Sequence, residues 1–416
     1  MIDSHSGKRS KGVSNKAAKE WSEEMRAARS TVRATDPNLV ALEIEQVKKR
    51  MKKYNVPPFG YLKEEKPEGF HRFMSTQPNN MSTTLTRAVK IEQTTRLVNK
   101  YDVDMVSFLE LGLNWKQLPP SETLASFFDA EVELRSVTGH NKHENPPTTY
   151  QPGGTGLLAV NELIQYCKTS GTDHRNLGRW TWYTLEGSPE HKTIVLSVYH
   201  IGKSKPKLSK PSNGRARPKG WQRCYQQHLR YIQNAGLDTT PYELFCSDLL
   251  TQLRTWREQG YNVVMVMDAN EHVLTGQFTR QLANVGLKEV SHKQWGDSEP
   301  NTYIDSSQSI DGVWISSGLE LGGLLILPFS MSVGDHRTIL FDLSTRSLIG
   351  KFEHRIVRSA CRRLNTKNSS LGRYTKILDR QMSIHRMYQR LDAIIESIVD
   401  DKPTLKQKAL MESLDV

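Results

Sequence analysis

The stretch "VVMVMDANEH", residues 263–272, places polar and charged side chains directly after an unbroken apolar run. The run Val263–Met267 is typical of a strand that is buried on both faces of a sheet. Asp268 and Asn270 follow at once. Such residues either cap a following helix or form a functional site that the buried strand holds rigidly in place. Whether other segments of the chain repeat this pattern decides between the two interpretations.

Segments typical of strands and helices alternate from about residue 68 onward. The sequence predicts strands at "FHRFMST", "DMVSFLELG", "RWTWYTLEG", "KTIVLSVYHI", "SIDGVWIS" and "RTILFDLS". It predicts helices at "NLVALEIEQVKKRMKKY", "TLTRAVKIEQTTRLVNKY", "PYELFCSDLLTQLRTWREQG" and "GQFTRQLANVG". The turn residues Gly187, Ser188 and Pro189 predict a hairpin between two of these strands. Hairpins mixed with strand–helix–strand units indicate mixed sheets.

The composition is that of a globular protein that acts away from membranes. Of 416 residues, 37% are hydrophobic and 25% charged, and no apolar run reaches the ~18 to 20 residues needed to span a bilayer. The N-terminus "MIDSHSGKRSKG" lacks the apolar core of a signal peptide, and the four cysteines form no CxxC pair. We therefore expect a reducing, intracellular location. The basic cluster Lys48–Lys53 fits either a nuclear-import signal or a solvated helix face.

The basic excess of the chain lies entirely in its two flanks. Residues 1–64 and residues 351–416 each hold 14 Lys and Arg against 8 Asp and Glu, whereas residues 65–350 hold 29 of each. The sequence predicts a basic helical or partly disordered extension at 1–64, a catalytic domain at 65–350 and a basic helical extension at 351–416. Basic arms around a neutral domain indicate a polyanionic partner, or they only aid solubility.

Two further segments have open interpretations. The basic loop Gly202–Arg223 either contacts phosphates, with Trp221 available for stacking, or is a solvated insertion. The C-terminal extension carries a heptad-like seam, which either packs on the domain or mediates dimerisation. Its positions are Ile377, Gln381, Ile384, Tyr388, Leu391, Ile395 and Ile398. The sequence leaves the oligomeric state open.

Three other segments repeat the pattern of a carboxylate beside an apolar strand. "DMVSFLELGLNW" contains Glu110, "SQSIDGVWIS" contains Asp311, and "SVGDHRTILFDLS" contains Asp335 and His336. If these carboxylates converge with Asp268, each pair at ~4 Å repels by about 4 kcal/mol at an effective dielectric constant near 20. A cation, a proton or an imidazolium must offset that repulsion. Oxygen ligands favour Mg²⁺ or Mn²⁺.

In this order and spacing, the segments resemble the endonuclease/exonuclease/phosphatase superfamily, most closely the apurinic-type endonucleases of non-LTR retrotransposons. The resemblance covers roughly residues 70–345. "FLELGLNW" resembles the strand that ends in a metal-binding glutamate, "VVMVMDANE" the G-D-x-N motif, "SIDGVW" the I-D-Y segment and "VGDHRTI" the S-D-H-x-P motif. "IVLSVYHIG" takes the place of the strand with the active-site tyrosine, and "RFMSTQPNNM" that of the first Asn-containing strand.

The resemblance implies both a fold and a set of roles. The fold is α/β, a four-layer sandwich of two packed mixed β-sheets flanked by helices, here with helical N- and C-terminal extensions. The implied cofactor is Mg²⁺, with Mn²⁺ as the alternative. The implied metal-site residues are Glu110, Asp335, Asn79 and Asn80. The implied catalytic residues are His336 oriented by Asp311, Asp268 and Asn270 for the water or leaving oxygen, and Tyr199 on the phosphate.

The function that follows is a divalent-metal-dependent phosphodiester hydrolase, namely a DNA endonuclease of mobile-element type that nicks DNA and leaves a 3′-hydroxyl. One alternative is a phosphomonoesterase or lipid phosphodiesterase on the same fold. Another is a catalytically silent nucleic-acid-binding relic. Departures from the family pattern favour the relic: Met267 replaces the usual Gly, Gly334 the usual Ser, and His200-Ile201-Gly202 the usual small residue, Pro and Asn.

Overall fold

The computed structural model describes residues 37–51, 57–128, 133–188, 190–202, 220–293, 295–296, 299–350 and 368–384. These residues form thirteen strands in two sheets. The strands are β1 (Phe59–Tyr61), β2 (Phe70–Thr76), β3 (Met105–Phe108), β4 (Leu134–Gly139), β5 (Thr155–Val160), β6 (Cys167–Thr172), β7 (Trp180–Ser188), β8 (His191–Tyr199), β9 (Asn262–Asp268), β10 (Leu287–Glu289), β11 (Asp311–Ser316), β12 (Leu321–Ile326) and β13 (Ile339–Ser344).

Both sheets are mixed. The seven-stranded sheet has the order β1-β12-β13-β2-β3-β5-β4, and the six-stranded sheet has the order β10-β11-β9-β8-β7-β6. Strands β2 and β3 are parallel, as are β8 and β9, whereas their other neighbours pair antiparallel. The predicted hairpin is present, because β7 and β8 pair antiparallel on either side of residues 189 and 190.

The described residues form six α-helices. They are α1 (Pro37–Met51), α2 (Thr84–Tyr101), α3 (Gly220–Asn234), α4 (Pro241–Glu258), α5 (Thr345–Ile349) and α6 (Asn368–Ile384). Helix α4 begins with a capping box, in which the side chains of Thr240 and Glu243 each accept a hydrogen bond from the other residue's backbone N–H. Helix α2 ends at Asp102, which adopts the left-handed conformation typical of a helix C-terminus.

The two sheets pack face to face around one apolar core. Because successive side chains of a strand point to opposite faces, Val264 and Val266 of β9 enter this inner core. Met265 and Met267 point outward, where they pack with α4 residues such as Phe245. This arrangement explains the unbroken apolar run with which the sequence analysis began, since β9 is buried on both of its faces.

Helices cover the outer faces of both sheets. Helix α4 packs its buried side chains on the six-stranded sheet. Helix α2 packs Ile91, Leu97 and Tyr101 on the seven-stranded sheet, against residues such as Val106 and Leu158. The layers are therefore helix, sheet, sheet and helix, which confirms the predicted four-layer α/β sandwich.

The chain divides into two compact units, Met1–Phe352 and Glu353–Val416. Within the first unit, β1 pairs with β12, so a strand of the predicted 1–64 extension belongs to the sheet. Helix α1 likewise buries Ile44, which is 1% exposed. The second unit contains α6, on which Ile377 is exposed. Most of the basic loop, residues 203–219, and the seam positions beyond Ile384 lie outside the described residues.

One predicted helix takes a different form. The segment "GQFTRQLANVG" contains a 3-10 helix, Thr279–Val285, instead of an α-helix. The Glu271 carboxylate accepts hydrogen bonds from the backbone N–H groups of residues 277, 278 and 279. A loop contact thus occupies the start of the segment, and Gly286 ends it in a left-handed conformation. Among the described residues, no helix combines the length and apolar character that crossing a membrane requires.

Candidate active site

Three neighbouring strands of the six-stranded sheet bring polar side chains to one edge. In the parallel β8–β9 pair, Tyr199 lies opposite Asp268. In the antiparallel β9–β11 pair, Asp311 lies opposite the same Asp268. The last residues of β8 and β9 and the first residue of β11 are therefore adjacent. Register, rather than nearness in sequence, brings these three together.

The seven-stranded sheet supplies the other side of the site. Gln77 directly follows β2, Glu110 lies two residues after β3, and Asp335 and His336 precede β13. Just below this edge the two sheets are joined by polar contacts. The Ser107 hydroxyl donates to Ser197 Oγ at 2.8 Å, and the Ser197 hydroxyl donates to the carbonyl oxygen of residue 108 at 2.9 Å. The strand ends are thus held at a fixed spacing.

A buried Asp–His pair lies at the centre of the site. His336 Nδ1 donates a hydrogen bond to Asp311 Oδ2 at 2.7 Å. Burial lowers the pKa of His336, but the Asp311 carboxylate outweighs it, and the pKa rises to about 10. His336 is therefore an imidazolium at neutral pH. The ring of Tyr303 lies against it, with centroids 4.8 Å apart.

Gln77 is a site residue that the sequence analysis did not assign. Its Nε2 donates to Glu110 Oε2 and to Asp268 Oδ2, each at 3.1 Å, and it lies 3.1 Å from His336 Nε2. An amide nitrogen donates and does not accept, so Gln77 Nε2 offers no acceptor to the imidazolium. His336 Nε2–H therefore remains available to an anionic oxygen. The position of Gln77, first after a strand end, is the sequence signal that could have identified it.

Glu110 is held in a buried, electrostatically unfavourable place. Burial raises its pKa to about 7, and the Asp335 carboxylate contributes to the rise, whereas the His336 imidazolium opposes it. The neighbouring Tyr199 side chain acts in the opposite direction and lowers this pKa. Burial and the negative charge of Glu110 raise the pKa of Tyr199 well above its usual value, so this phenol stays a neutral donor.

Asp268 has the most perturbed carboxyl of the site. Burial and the neighbouring Asp311 raise its pKa to about 8, against the opposing effect of His336. Its Oδ1 accepts a hydrogen bond from the backbone N–H of Asn270 at 3.0 Å. The Asn270 side chain donates from Nδ2 to the carbonyl oxygen of His200 at 2.7 Å. Asn270 thus orients Asp268 through its backbone, while its own amide group fastens the turn.

The two asparagines expected near a metal have different places. Asn79 is exposed, and its Nδ2 donates to Asp335 Oδ2 at 2.9 Å. Asn80 Oδ1 accepts a hydrogen bond from the backbone N–H of Ser82 at 2.8 Å, and the Asn80 backbone N–H donates to the carbonyl oxygen of Glu110 at 3.4 Å. Both have positive φ angles, 45° and 80°, and so do Glu110 at 48° and Asn270 at 46°. Left-handed backbone at non-glycine residues is strained and gathers at functional sites.

Two groups of residues could hold a divalent cation. Asp268, Asp311 and His336 place potential ligand atoms within 4.8 Å of one another, and all three are buried. A cation held by this group would require His336 Nε2 to give up its proton, because a metal ligand must be deprotonated. Glu110 and Asp335 fit better, since Asp335 Oδ1 and Gln77 Oε1 are buried without a hydrogen-bond partner among the described residues. This set of oxygen donors suits Mg²⁺ or Mn²⁺.

The chain matches no family model and no curated protein. Three solved structures with a similar fold are compared with this chain by their sequence identity, their TM-score and the share of each chain that is covered. The human Nocturnin catalytic domain has 15% identity and a TM-score of 0.45, covering 67% of this chain and 95% of that domain. The AP endonuclease LMAP from Leishmania major has 11% identity and a TM-score of 0.48, covering 73% and 98%. The 3′ phosphatase NExo from Neisseria, bound to product DNA hairpin, has 13% identity and a TM-score of 0.42, covering 65% and 98%. Likenesses this distant carry no argument about the chemistry of this chain.

Proposed function

We propose that the chain is a divalent-metal-dependent phosphodiester hydrolase, and more specifically a DNA endonuclease of mobile-element type that leaves a 3′-hydroxyl. The observation that carries the proposal is the convergence of an Asp–His pair, a carboxyl of raised pKa and the carboxyl groups of Glu110 and Asp335 at one edge of both sheets. Metal-assisted cleavage of a phosphodiester needs a cation site, a donor to the phosphate and a group that manages a proton.

His336 is suited to bind the phosphate. Its Nδ1–H is taken by Asp311, which fixes the orientation of the ring. Its Nε2–H points to the place where Gln77, Glu110 and Asp268 meet. A cationic donor held in a buried site stabilises the negative charge that develops on phosphate oxygens during cleavage.

Asp268 is suited to protonate the leaving oxygen. Because its pKa is raised to about 8, the carboxyl keeps its proton at neutral pH. The backbone N–H of Asn270 bonds to one carboxyl oxygen and thereby fixes the direction of the group. A water oxygen bonds to phosphorus and releases its proton to solvent as the bond between phosphorus and the 3′ oxygen breaks. The proton of Asp268 passes to the 3′ oxygen and produces the 3′-hydroxyl, and the other fragment keeps a 5′-phosphate.

Glu110 and Asp335 would hold the cation, and the side-chain oxygen Oε1 of Gln77 is nearby. When bound, a divalent cation would offset the repulsion between the two carboxylates and stabilise charge on the phosphate. Tyr199 lies beside Glu110, and Gln77 Nε2 donates to Glu110 Oε2 at 3.1 Å. The exposed Asn79 supports Asp335 through the bond to Oδ2.

DNA as the substrate is supported by the charge division and by the sequence motifs. The basic excess lies in the flanks of a neutral domain, which fits a long polyanion better than a small phosphomonoester or a lipid headgroup. The motifs resemble those of retrotransposon endonucleases, which supports the mobile-element type.

The deciding experiment is the nicking of supercoiled plasmid with and without Mg²⁺ or Mn²⁺. We expect metal-dependent nicking that falls by at least ~10²-fold in His336→Ala and in Asp268→Ala, because each removes a group that acts on the reacting phosphate. His174→Ala is the matched control, since the His174 side chain is 51% exposed and its Nε2 lies 3.6 Å from Asp248 Oδ1. Full nicking by either site variant would refute the assigned roles.

The same preparations should be compared on an inositol phosphate and on a lipid phosphodiester. Faster hydrolysis of either substrate than of plasmid would replace the nuclease proposal with a phosphatase or lipid phosphodiesterase. Binding of DNA without hydrolysis of any of these substrates would indicate a silent relic.

A further inference from the structure

The turn that carries Asp268 and Asn270 needs support from outside itself. After β9 ends at Asp268, the chain passes through Ala269 to Asn270, whose φ of 46° is left-handed. The Asn270 backbone N–H donates to Asp268 Oδ1 while Gln77 Nε2 donates to Oδ2, so the orientation of the carboxyl depends in part on how firmly this backbone is fixed. A strained conformation persists where surrounding contacts determine it more than once.

His200 makes contact with each of the three residues of this turn. Its backbone N–H donates to the carbonyl oxygen of Asp268 at 2.9 Å. Its ring Nδ1 donates to the carbonyl oxygen of Ala269 in a short hydrogen bond. Its own carbonyl oxygen accepts from Asn270 Nδ2 at 2.7 Å. Two of these three hydrogen bonds use the backbone of His200. The third uses its imidazole ring and therefore depends on the identity of the side chain.

The His200 ring is itself held in one orientation. It is fully buried, and its centroid lies 4.4 Å from that of Phe245, 5.0 Å from that of Tyr242 and 5.4 Å from that of Phe278. A carbonyl oxygen can only accept, so Nδ1 must carry a hydrogen. Burial lowers the pKa of His200 to about 4. The neutral ring therefore has an unprotonated Nε2, which lies 4.0 Å from Cys246 Sγ.

We infer that His200 is a positioning residue for phosphodiester cleavage, acting through its ring hydrogen bond to Ala269 to hold Asp268 and Asn270 in their reactive orientation. The inference rests on the proposed function of the site.

Two substitutions separate the hydrogen bond of His200 from its packing. His200→Phe keeps an aromatic ring among Phe245, Tyr242 and Phe278 but has no donor. His200→Asn keeps an N–H donor attached at the same carbon as Nδ1 but loses most of the ring. We expect His200→Phe to lower kcat for plasmid nicking about tenfold or more with KM nearly unchanged, because the oriented carboxyl acts on the transition state. His200→Asn should keep kcat within about threefold of wild type, although its Tm falls because the aromatic packing is lost.

A role in packing alone gives the opposite pattern. His200→Phe would then retain both Tm and kcat, and His200→Asn would lose both. That result would overturn the inference.

A second measurement needs no activity. Backbone amide exchange of Asn270, followed by NMR, should quicken in His200→Phe and stay near the wild-type rate in His200→Asn, because only the first variant frees the turn. An unchanged exchange rate in His200→Phe would overturn the inference. If wild-type protein failed to nick plasmid at all, the proposed function would fail, and the exchange rates would still decide whether His200 holds the turn.

Discussion

Replacing Glu110 by Gln should stabilise the protein in EDTA, and only at high pH. Gln keeps an oxygen that can accept from Gln77 Nε2, but it carries no charge. The pKa of Glu110 is raised from 4.5 to about 7 in the folded protein, chiefly by burial. At ~1.4 kcal/mol per pKa unit, the ionised carboxylate costs the folded state about 3 kcal/mol.

The sign of the pH dependence follows from proton binding. Between pH 4.5 and about 7, the folded protein keeps a proton that the unfolded chain has already released. Wild-type stability therefore falls as the pH rises through this window, and Glu110→Gln removes that part of the fall. We expect the variant to match wild type at pH 4.5 and to exceed it by up to about 3 kcal/mol at pH 8.

Urea unfolding at pH 4.5 and pH 8, each with EDTA or Mg²⁺, measures both effects. The variant's advantage at pH 8 should shrink or reverse with Mg²⁺, because the cation stabilises only a protein that can bind it. Glu92→Gln is the matched control, since Glu92 lies on the surface of α2 and pairs with Arg96 at 2.8 Å. A stability difference that is the same at both pH values, or that ignores Mg²⁺, would refute the reasoning.

Three further predictions concern other parts of the chain. Arg337 is buried between Phe329 and Phe59, and burial lowers its pKa to about 10. Arg337→Met should therefore raise the free energy of unfolding by about 1–2 kcal/mol, and a lower value in urea unfolding would contradict this. Burial lowers the pKa of His228 to about 3, so only the unfolded chain takes up a proton as the pH falls from 6.5 toward 4. The free energy of unfolding of the wild type should therefore fall by a few kcal/mol over this range, and His228→Leu should show a flatter curve of Tm against pH. Four arginines of the C-terminal extension lie outside the described residues. Changing them together to Gln should flatten the slope of log K against log[salt] for DNA binding by roughly 3 to 4 units. An unchanged slope would indicate that the basic loop, and not these arginines, contacts the DNA phosphates. The four arginines are Arg355, Arg358, Arg362 and Arg363.

The fold was predictable where burial leaves a clear periodicity. Strand β9 and helices α2 and α4 follow from apolar runs or stripes and from capping residues, and each forms close to its predicted bounds. The sequence analysis predicted no strand between residues 114 and 178, yet β4, β5 and β6 lie there. Strand β6, "CKTSGT", lies at the edge of its sheet and is mostly exposed or half-buried, so it has no apolar alternation to detect.

The candidate site was predictable as a set of strand-end carboxylates, but its contacts were not. The sequence places Asp268, Asp311 and His336 after or before apolar strands, and the register of the sheets brings them together. The amide of Gln77 and the imidazole of His200 act through hydrogen bonds with residues far along the chain. Their positions directly after a strand are visible in the sequence, but their partners depend on which sheet faces which, and a single sequence does not show that.

The left-handed residues around the site constrain the evolution of this protein, because stability and activity favour different residues there. At Glu110, a glycine would relieve roughly 1 kcal/mol of backbone strain and would also remove a buried carboxylate. Selection for thermal stability alone would therefore favour changes that abolish chemistry, a stability–activity trade-off concentrated in a few positions. A library varied at residues 79, 80, 110 and 270 and sorted first for heat resistance should lose hydrolysis early. Retention of Glu110 among the most heat-resistant members would show that the strain is offset by contacts elsewhere in the fold.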